Sequence, residues 1–178
     1  MPLVIEDGSI KADGNSFATV TNLDDFADAR GILLVDSEGN PLVATQKEAL
    51  LISAMDYIIS IENTLQGQRV TPTQPLPFPR EGVVLFGSTV DSTIIPNQLI
   101  KAQIALAIDT LDNDLLASTQ AGDNVVREKV DVLEVEYAEN GRSSTFITKR
   151  ANAFLDALTG NGLGGGFGGG NGITTCRA

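Results

Sequence analysis

The chain has 178 residues, 42% of them hydrophobic, which is enough to bury the core of one domain. A formal net charge of −11 works against nucleic-acid binding at long range, and the absence of histidine removes the commonest general base and metal ligand. With aromatics at 5% and no Trp the core must be aliphatic, and no apolar run reaches the about 18 residues of a membrane span.

At the start, Leu3 to Ile5 is a short β-rich run. Turn chemistry follows at Asp7-Gly8 and at Asp13-Gly14-Asn15-Ser16, and Phe17 to Val20 reads as a second short strand. "TNLDDFADARG" predicts a short helix capped by Thr21 or Asn22 and stopped at Gly31, with Leu23, Phe26 and Ala27 on one face. Asp24 and Asp25 fall in its first turn, where they complement the helix dipole; neighbours in one turn are not a catalytic carboxylate pair. "ILLVDSEGNPL" is apolar and then turn-like.

"TQKEALLISAMDYIISIENTLQG" predicts a long helix with Thr45 and Glu48 as a capping box and Gly67 as its stop. Leu51, Met55, Ile58 and Leu65 share a face that Ile52 and Ile59 widen. "GQRVTPTQPLPFPREGV", Gly67 to Val83, then holds four of the seven prolines. Fixed φ angles make it a stiff arm, and a Pro-x-x-Pro ligand is a further reading. The arm has two readings: Leu76 and Phe78 simply cap the two-helix core, or Arg80 forms an ion pair, within its own subunit or with an acidic neighbour.

After "VVLFGSTVDSTIIP", Pro96 fits the first position of a second long helix, "PNQLIKAQIALAIDTLDNDLLAS". Ile100, Ile104, Ala107, Ile108, Leu111 and Leu115 share a face, Leu99 and Leu106 lie beside it, and the two long helices should pack together. In "NVVREKVDVLEVEYAENG" the alternation changes parity between Val132 and Leu133, which predicts a β-hairpin near 125–138 turning at Asp131. Leu133, Val135 and Tyr137 then share one face, and Glu134 and Glu136 lie on a solvated one. "SSTFITKRANAFLDALTGNG" reads as a last short helix with Phe154, Leu155 and Leu158 apolar and Gly160 as its stop.

Residues 160–178 are glycine-dominated and lack the Lys-Ser or Lys-Thr of a phosphate loop. They read either as a disordered tail or as an arm that orders on a partner through Phe167 and Ile173. The expected fold is therefore mainly α: a small helical bundle around two long antiparallel helices, with short N-terminal strands, a β-hairpin and an extended glycine-rich tail. Residues 1–159 form the domain and 160–178 the arm.

No residue set suggests catalysis, a cofactor or a metal. Nucleophilic catalysis lacks its histidine, no carboxylate cluster has ligand spacing, and no glycine loop has a nucleotide-binding partner, so the chain is not expected to be an enzyme. The lone Cys176 is a bystander, and no secretory signal precedes the domain, so a reducing cytosol is the expected compartment. The candidate interface residues are Arg69, Phe78, Pro79 and Arg80 on the arm, and Phe167, Ile173 and Arg177 in the tail.

Six segments in order carry a family resemblance: "VIEDG…ADGNSFATV", "DDFADARG", "KEALLISAMDYI", "GQRVTPTQPLPFPREGV", "IIPNQLIKAQIALA" and "REKVDVLEVEYA", before a glycine-rich end. The chain resembles the head–tail connector, or head-completion adaptor, proteins of tailed phages, a family also labelled DnaT-like single-stranded DNA-binding protein. It departs from the pattern at Phe78, where the family usually has Trp, and at Asp131-Val132, which replaces a Gly-Pro turn. "GILLVDSEGNPLVATQ" is also less typical.

The resemblance implies a helical core with a projecting hairpin or loop, assembled as a ring, commonly of twelve subunits, beneath the portal protein. Duplex DNA would pass through the middle without sequence-specific binding, and a tail or stopper protein would dock below. It implies a place in the virion neck after assembly in the host cytoplasm, with no membrane and no cofactor. The competing expectation is a single-strand-binding module, for which Arg69, Arg80, Arg127, Lys129, Lys149 and Arg150 are the available cations.

Overall fold

The structure, a computed structural model, describes residues 2–111, 115–116, 127–130, 133–136 and 149–159. In these residues there are four helices and three antiparallel two-stranded pairs. The helices are α1 (Val20–Asp28), α2 (Ala44–Ser60), α3 (Asn97–Asp109) and α4 (Lys149–Leu155), and a 3₁₀ turn at Glu62–Thr64 follows α2. Strands β1 (Gln68–Arg69) and β2 (Arg80–Glu81) pair across the base of the proline arm. β3 (Val84–Leu85) and β4 (Ser88–Thr89) form one hairpin, and β5 (Arg127–Val130) and β6 (Leu133–Glu136) another.

The apolar periodicity is borne out where it is densest. Leu23, Phe26 and Ala27 of α1 are buried, as are Leu51, Ala54, Met55 and Ile58 of α2. In α3 every residue from Ala102 to Ile108 is buried, so this helix is the centre of the body, with α2 and α4 packed against it. Burying a Leu- or Ile-sized side chain contributes about 1.5–3 kcal/mol, so this cluster dominates the fold. The half-buried Phe154 meets Phe26 edge-on, with ring centroids 6.4 Å apart, and seals α4 onto α1.

A fully buried polar residue sits inside α3. The Gln103 side-chain oxygen accepts from the Phe17 and Ala18 backbone N–H groups at 2.9 and 3.0 Å. Its amide nitrogen donates to Ser16 Oγ at 2.8 Å and to the Leu51 carbonyl at 2.9 Å. All four bonding directions are filled, so the burial is offset, and one side chain fastens the N-terminal segment and α2 to α3.

Several element boundaries differ from the sequence reading. Only one parallel bridge, Ile5 to Ser16, stands in place of the two N-terminal strands, and Val20 already belongs to α1. Thr19, not Thr21 or Asn22, caps α1. Its hydroxyl accepts from the Asn22 N–H at 3.0 Å, and the Asn22 side chain accepts from the Thr19 N–H. That moves Asp24 and Asp25 beyond the first turn, and Asp24 instead pairs with Lys47 of α2 at 2.6 Å.

Helix α2 starts two residues early, with Val43 at its cap and the Gln46 side chain accepting from the Val43 N–H, so Thr45 and Glu48 form no capping box. It ends at Ser60 rather than Gly67. Pro96 is the cap of α3 rather than its first residue, and α3 ends at Asp109. The β5–β6 hairpin pairs Val130 with Leu133, so the chain reverses where the parity change predicts. Tyr137, Gly160 and the rest of the glycine-rich segment lie outside the described residues.

Candidate functional site

The proline arm is the candidate site, and its chemistry begins with one carboxylate. Glu62 stands in the 3₁₀ turn after α2. Arg69 reaches it from β1 with Nε and Nη2 donating to the two carboxylate oxygens at 2.6 Å each. Such a two-pronged fit is the strongest geometry available to this ion pair. Arg80, directly opposite Arg69 in the β1–β2 register, adds Nη1 at 3.0 Å. Two cations opposite each other in a strand pair repel, and the shared Glu62 between them turns that repulsion into a clamp.

The rest of Arg80 is spent on backbone carbonyls. Nε donates to Gln66 at 2.7 Å and Nη2 to Gly67 at 2.7 Å, and the residue is only 7% exposed. Its guanidinium carbon lies 5.9 Å from the centre of the Phe78 ring. Hydrogen bonds from Arg69, reinforced by the charges of both arginines, hold the Glu62 carboxyl below its ordinary range, and the Glu62 bond raises Arg69.

The arm above the clamp is packed, not projecting. Leu76, Pro77, Phe78 and Pro79 are all buried, Phe78 at 1% exposure, and the Phe78–Pro79 peptide is cis. Gln74, also buried, donates to the Leu76 and Pro79 carbonyls at 2.9 Å each, and its oxygen accepts from the Thr71 N–H. Arg69 Nη1 closes the ring by donating to the Gln74 carbonyl at 2.6 Å.

At the base, Gly67 has φ +69°, and a Cβ there would stand 2.1 Å from the Glu81 carbonyl oxygen. This glycine is therefore required by strand approach, not by a helix end. Gln66 beside it couples three elements. Its N–H donates to the Leu158 carbonyl, its side-chain nitrogen to the Ala157 and Thr159 carbonyls, and its side-chain oxygen accepts from the Val84 N–H.

Of the predicted interface residues, the structure brings Arg69, Phe78, Pro79 and Arg80 together, with the last three buried inside their own chain. The intrasubunit alternative for Arg80 is the one observed. Phe167, Ile173 and Arg177 lie outside the described residues. Glu62, Gln66 and Gln74, which hold the arm, were not singled out from the sequence. Their only signal is a carboxylate and two amides flanking the two arginines, and this pattern is common on solvated surfaces.

Lys149 and Arg150 are exposed at the start of α4, and the β5–β6 register sets Arg127 opposite Glu136 and Lys129 opposite Glu134. Among the described residues no group of three or more Cys, Asp or Glu is placed to hold a metal ion. No helix among them is long and apolar enough to cross a membrane.

These features define a small, mainly helical protein whose proline arm is locked onto its own body by a shared-carboxylate clamp. The family model described as "Putative DnaT-like ssDNA binding protein" matches residues 1–177, and the chain belongs to that family. No curated protein and no solved structure matches it.

Proposed function

We propose that this chain is a structural assembly subunit: a head–tail connector that forms a ring with copies of itself beneath a phage portal. It extends the channel through which duplex DNA leaves toward the tail, and its place is the virion neck. The reading rests on the ordered motifs of the whole chain and on one structural observation. The two arginines of the most distinctive motif are committed to Glu62 and to backbone carbonyls, so they brace a body and do not present a charged groove. A net charge of −11 suits a wall past which phosphates slide, because like charges do not stick. The partners are copies of the chain, the portal protein, and a tail or stopper protein below; no catalytic role is assigned.

The family's description favours a second reading, binding of single-stranded DNA. That function needs a positive groove with stacking aromatics. The exposed Lys149-Arg150 pair is the best remaining start for one. Two experiments separate the readings. Electron microscopy of the full chain mixed with portal rings should show a second ring stacked on the portal, and bare portals at saturating protein would defeat the connector reading. Titration of a labelled oligonucleotide at low salt should show no binding at micromolar protein, and saturable binding there would favour the second reading.

A further inference from the structure

Leu65, Gln66 and Gly67 join the 3₁₀ turn to β1, and two distant parts of the chain hold them. The first is the segment just past α4. Leu65 bridges Thr159 in antiparallel sense, and the Gln66 N–H donates to the Leu158 carbonyl at 2.9 Å. The Gln66 side-chain nitrogen adds the Ala157 and Thr159 carbonyls at 3.2 and 3.3 Å. Residues 157–159 thus lie as a short strap along residues 65–67, pinned by the fully buried Leu158.

The second is the proline arm. Arg80 Nε donates to the Gln66 carbonyl and Nη2 to the Gly67 carbonyl, at 2.7 Å each, while Nη1 reaches Glu62. Every polar group of Gln66 is therefore in use. Its N–H and side-chain nitrogen hold the strap, its carbonyl serves Arg80, and its side-chain oxygen accepts from the Val84 N–H. Among the described residues no hydrogen bond runs from the strap to the arm itself, so their polar connection passes through residues 65–67.

We infer that the strap and the arm form one latch. Residues 157–159 seat Gln66 so that its carbonyl and that of Gly67 meet Arg80, and lifting the strap opens the arm. A lifted strap takes three carbonyl acceptors from Gln66 and uncovers Leu158, so the backbone whose carbonyls Arg80 needs loses its other support. Coupling of this kind is reciprocal, so an open arm loosens the strap by the same factor. The strap leads directly into the glycine-dominated residues 160–178, and a partner that draws on those residues therefore acts on the arm. The latch goes beyond the connector reading and holds equally under the single-strand-binding one.

Native-state hydrogen exchange of the full chain, read by mass spectrometry, tests the latch in both directions. Leu158→Ala, a change in the strap, should speed exchange across residues 69–81 by at least about fivefold and leave residues 102–108 of α3 unchanged. Arg80→Lys keeps a cation near Glu62 but offers no planar fork to the two carbonyls, and it should speed exchange across residues 156–159 by a similar factor. Where Leu158→Ala loosens the whole body, the smaller change Leu158→Val carries the same test. Exchange that rises only around each substitution would overturn the latch and leave two independent contacts. A rise that is uniform across all three segments in both Leu158→Val and Arg80→Lys would overturn it as well, because strap and arm would then share only the stability of the whole fold.

Discussion

Phe78 and Phe86 lie a few residues apart and meet opposite fates. Phe78 is 1% exposed beneath a prolyl arm whose arginines both close on Glu62, and Phe86 is 84% exposed at the tip of the next hairpin. Both segments are apolar runs with turn residues, so hydrophobicity does not separate them. What separates them is the supply of polar partners. The arm brings two guanidinium groups and Gln74 that satisfy its bare carbonyls, so it can be buried. The hairpin pairs its backbone only with itself and with Gln66, and its tip stays in solvent.

The largest effect that sharpens this contrast is a pair of truncations. Phe78→Ala should cost about 3–5 kcal/mol in denaturant unfolding because it opens a cavity under the arm, and Phe86→Ala should stay within about 0.5 kcal/mol of wild type. Similar costs at the two positions would erase the distinction.

Arg80→Ala comes next, at about 2–4 kcal/mol, because it strips Glu62 of one cation and removes the buried donor that serves the Gln66 and Gly67 carbonyls. A change under about 0.5 kcal/mol in the same assay would mean that the clamp does not brace the arm. Gly67→Ala should follow, at more than about 1 kcal/mol, since a Cβ would meet the Glu81 carbonyl oxygen at 2.1 Å; an unchanged melting temperature would refute the close approach.

The smallest effect is in acid. The folded Glu62 carboxyl is held below its ordinary value of 4.5, chiefly by the Arg69 hydrogen bonds, so the unfolded chain takes up this proton first. Its contribution is complete above that value and is lost as pH falls through the folded one. The urea midpoint of wild type should exceed that of Glu62→Gln at neutral pH, and the gap should narrow as pH falls below 4.5. A gap that is constant across that range would contradict the charged clamp.

How much of this was legible in the sequence depended on whether the cause was local. The buried faces of α1, α2 and α3 follow from apolar spacing, and the β5–β6 reversal follows from one change of parity. The end of α2 was misread because Leu65 continues the helical spacing. It is buried instead in extended backbone that bridges Thr159, a partner far along the chain. Gln103 was not singled out, since its acceptors and donors lie up to 87 residues away. The burial of Leu76 and Phe78 was legible as a cap on the helical core. Glu62 as the partner of both arginines was not, because that depends on where the chain after Ser60 places it. The β3–β4 hairpin was missed because Phe-Gly is not a usual turn pair.

Limited trypsin digestion of the dilute full-length chain, with the cut sites identified by mass spectrometry, probes the inward clamp directly. Arg30, exposed in the turn after α1, serves as the internal reference. Cleavage after Arg30 should come early, and cleavage after Arg80 should appear only as the whole body unfolds, because that side chain is held by Glu62 and two carbonyls of its own chain. Early cleavage after Arg80, at a rate matching Arg30, would contradict the clamp and leave the arm free to seek its partner elsewhere.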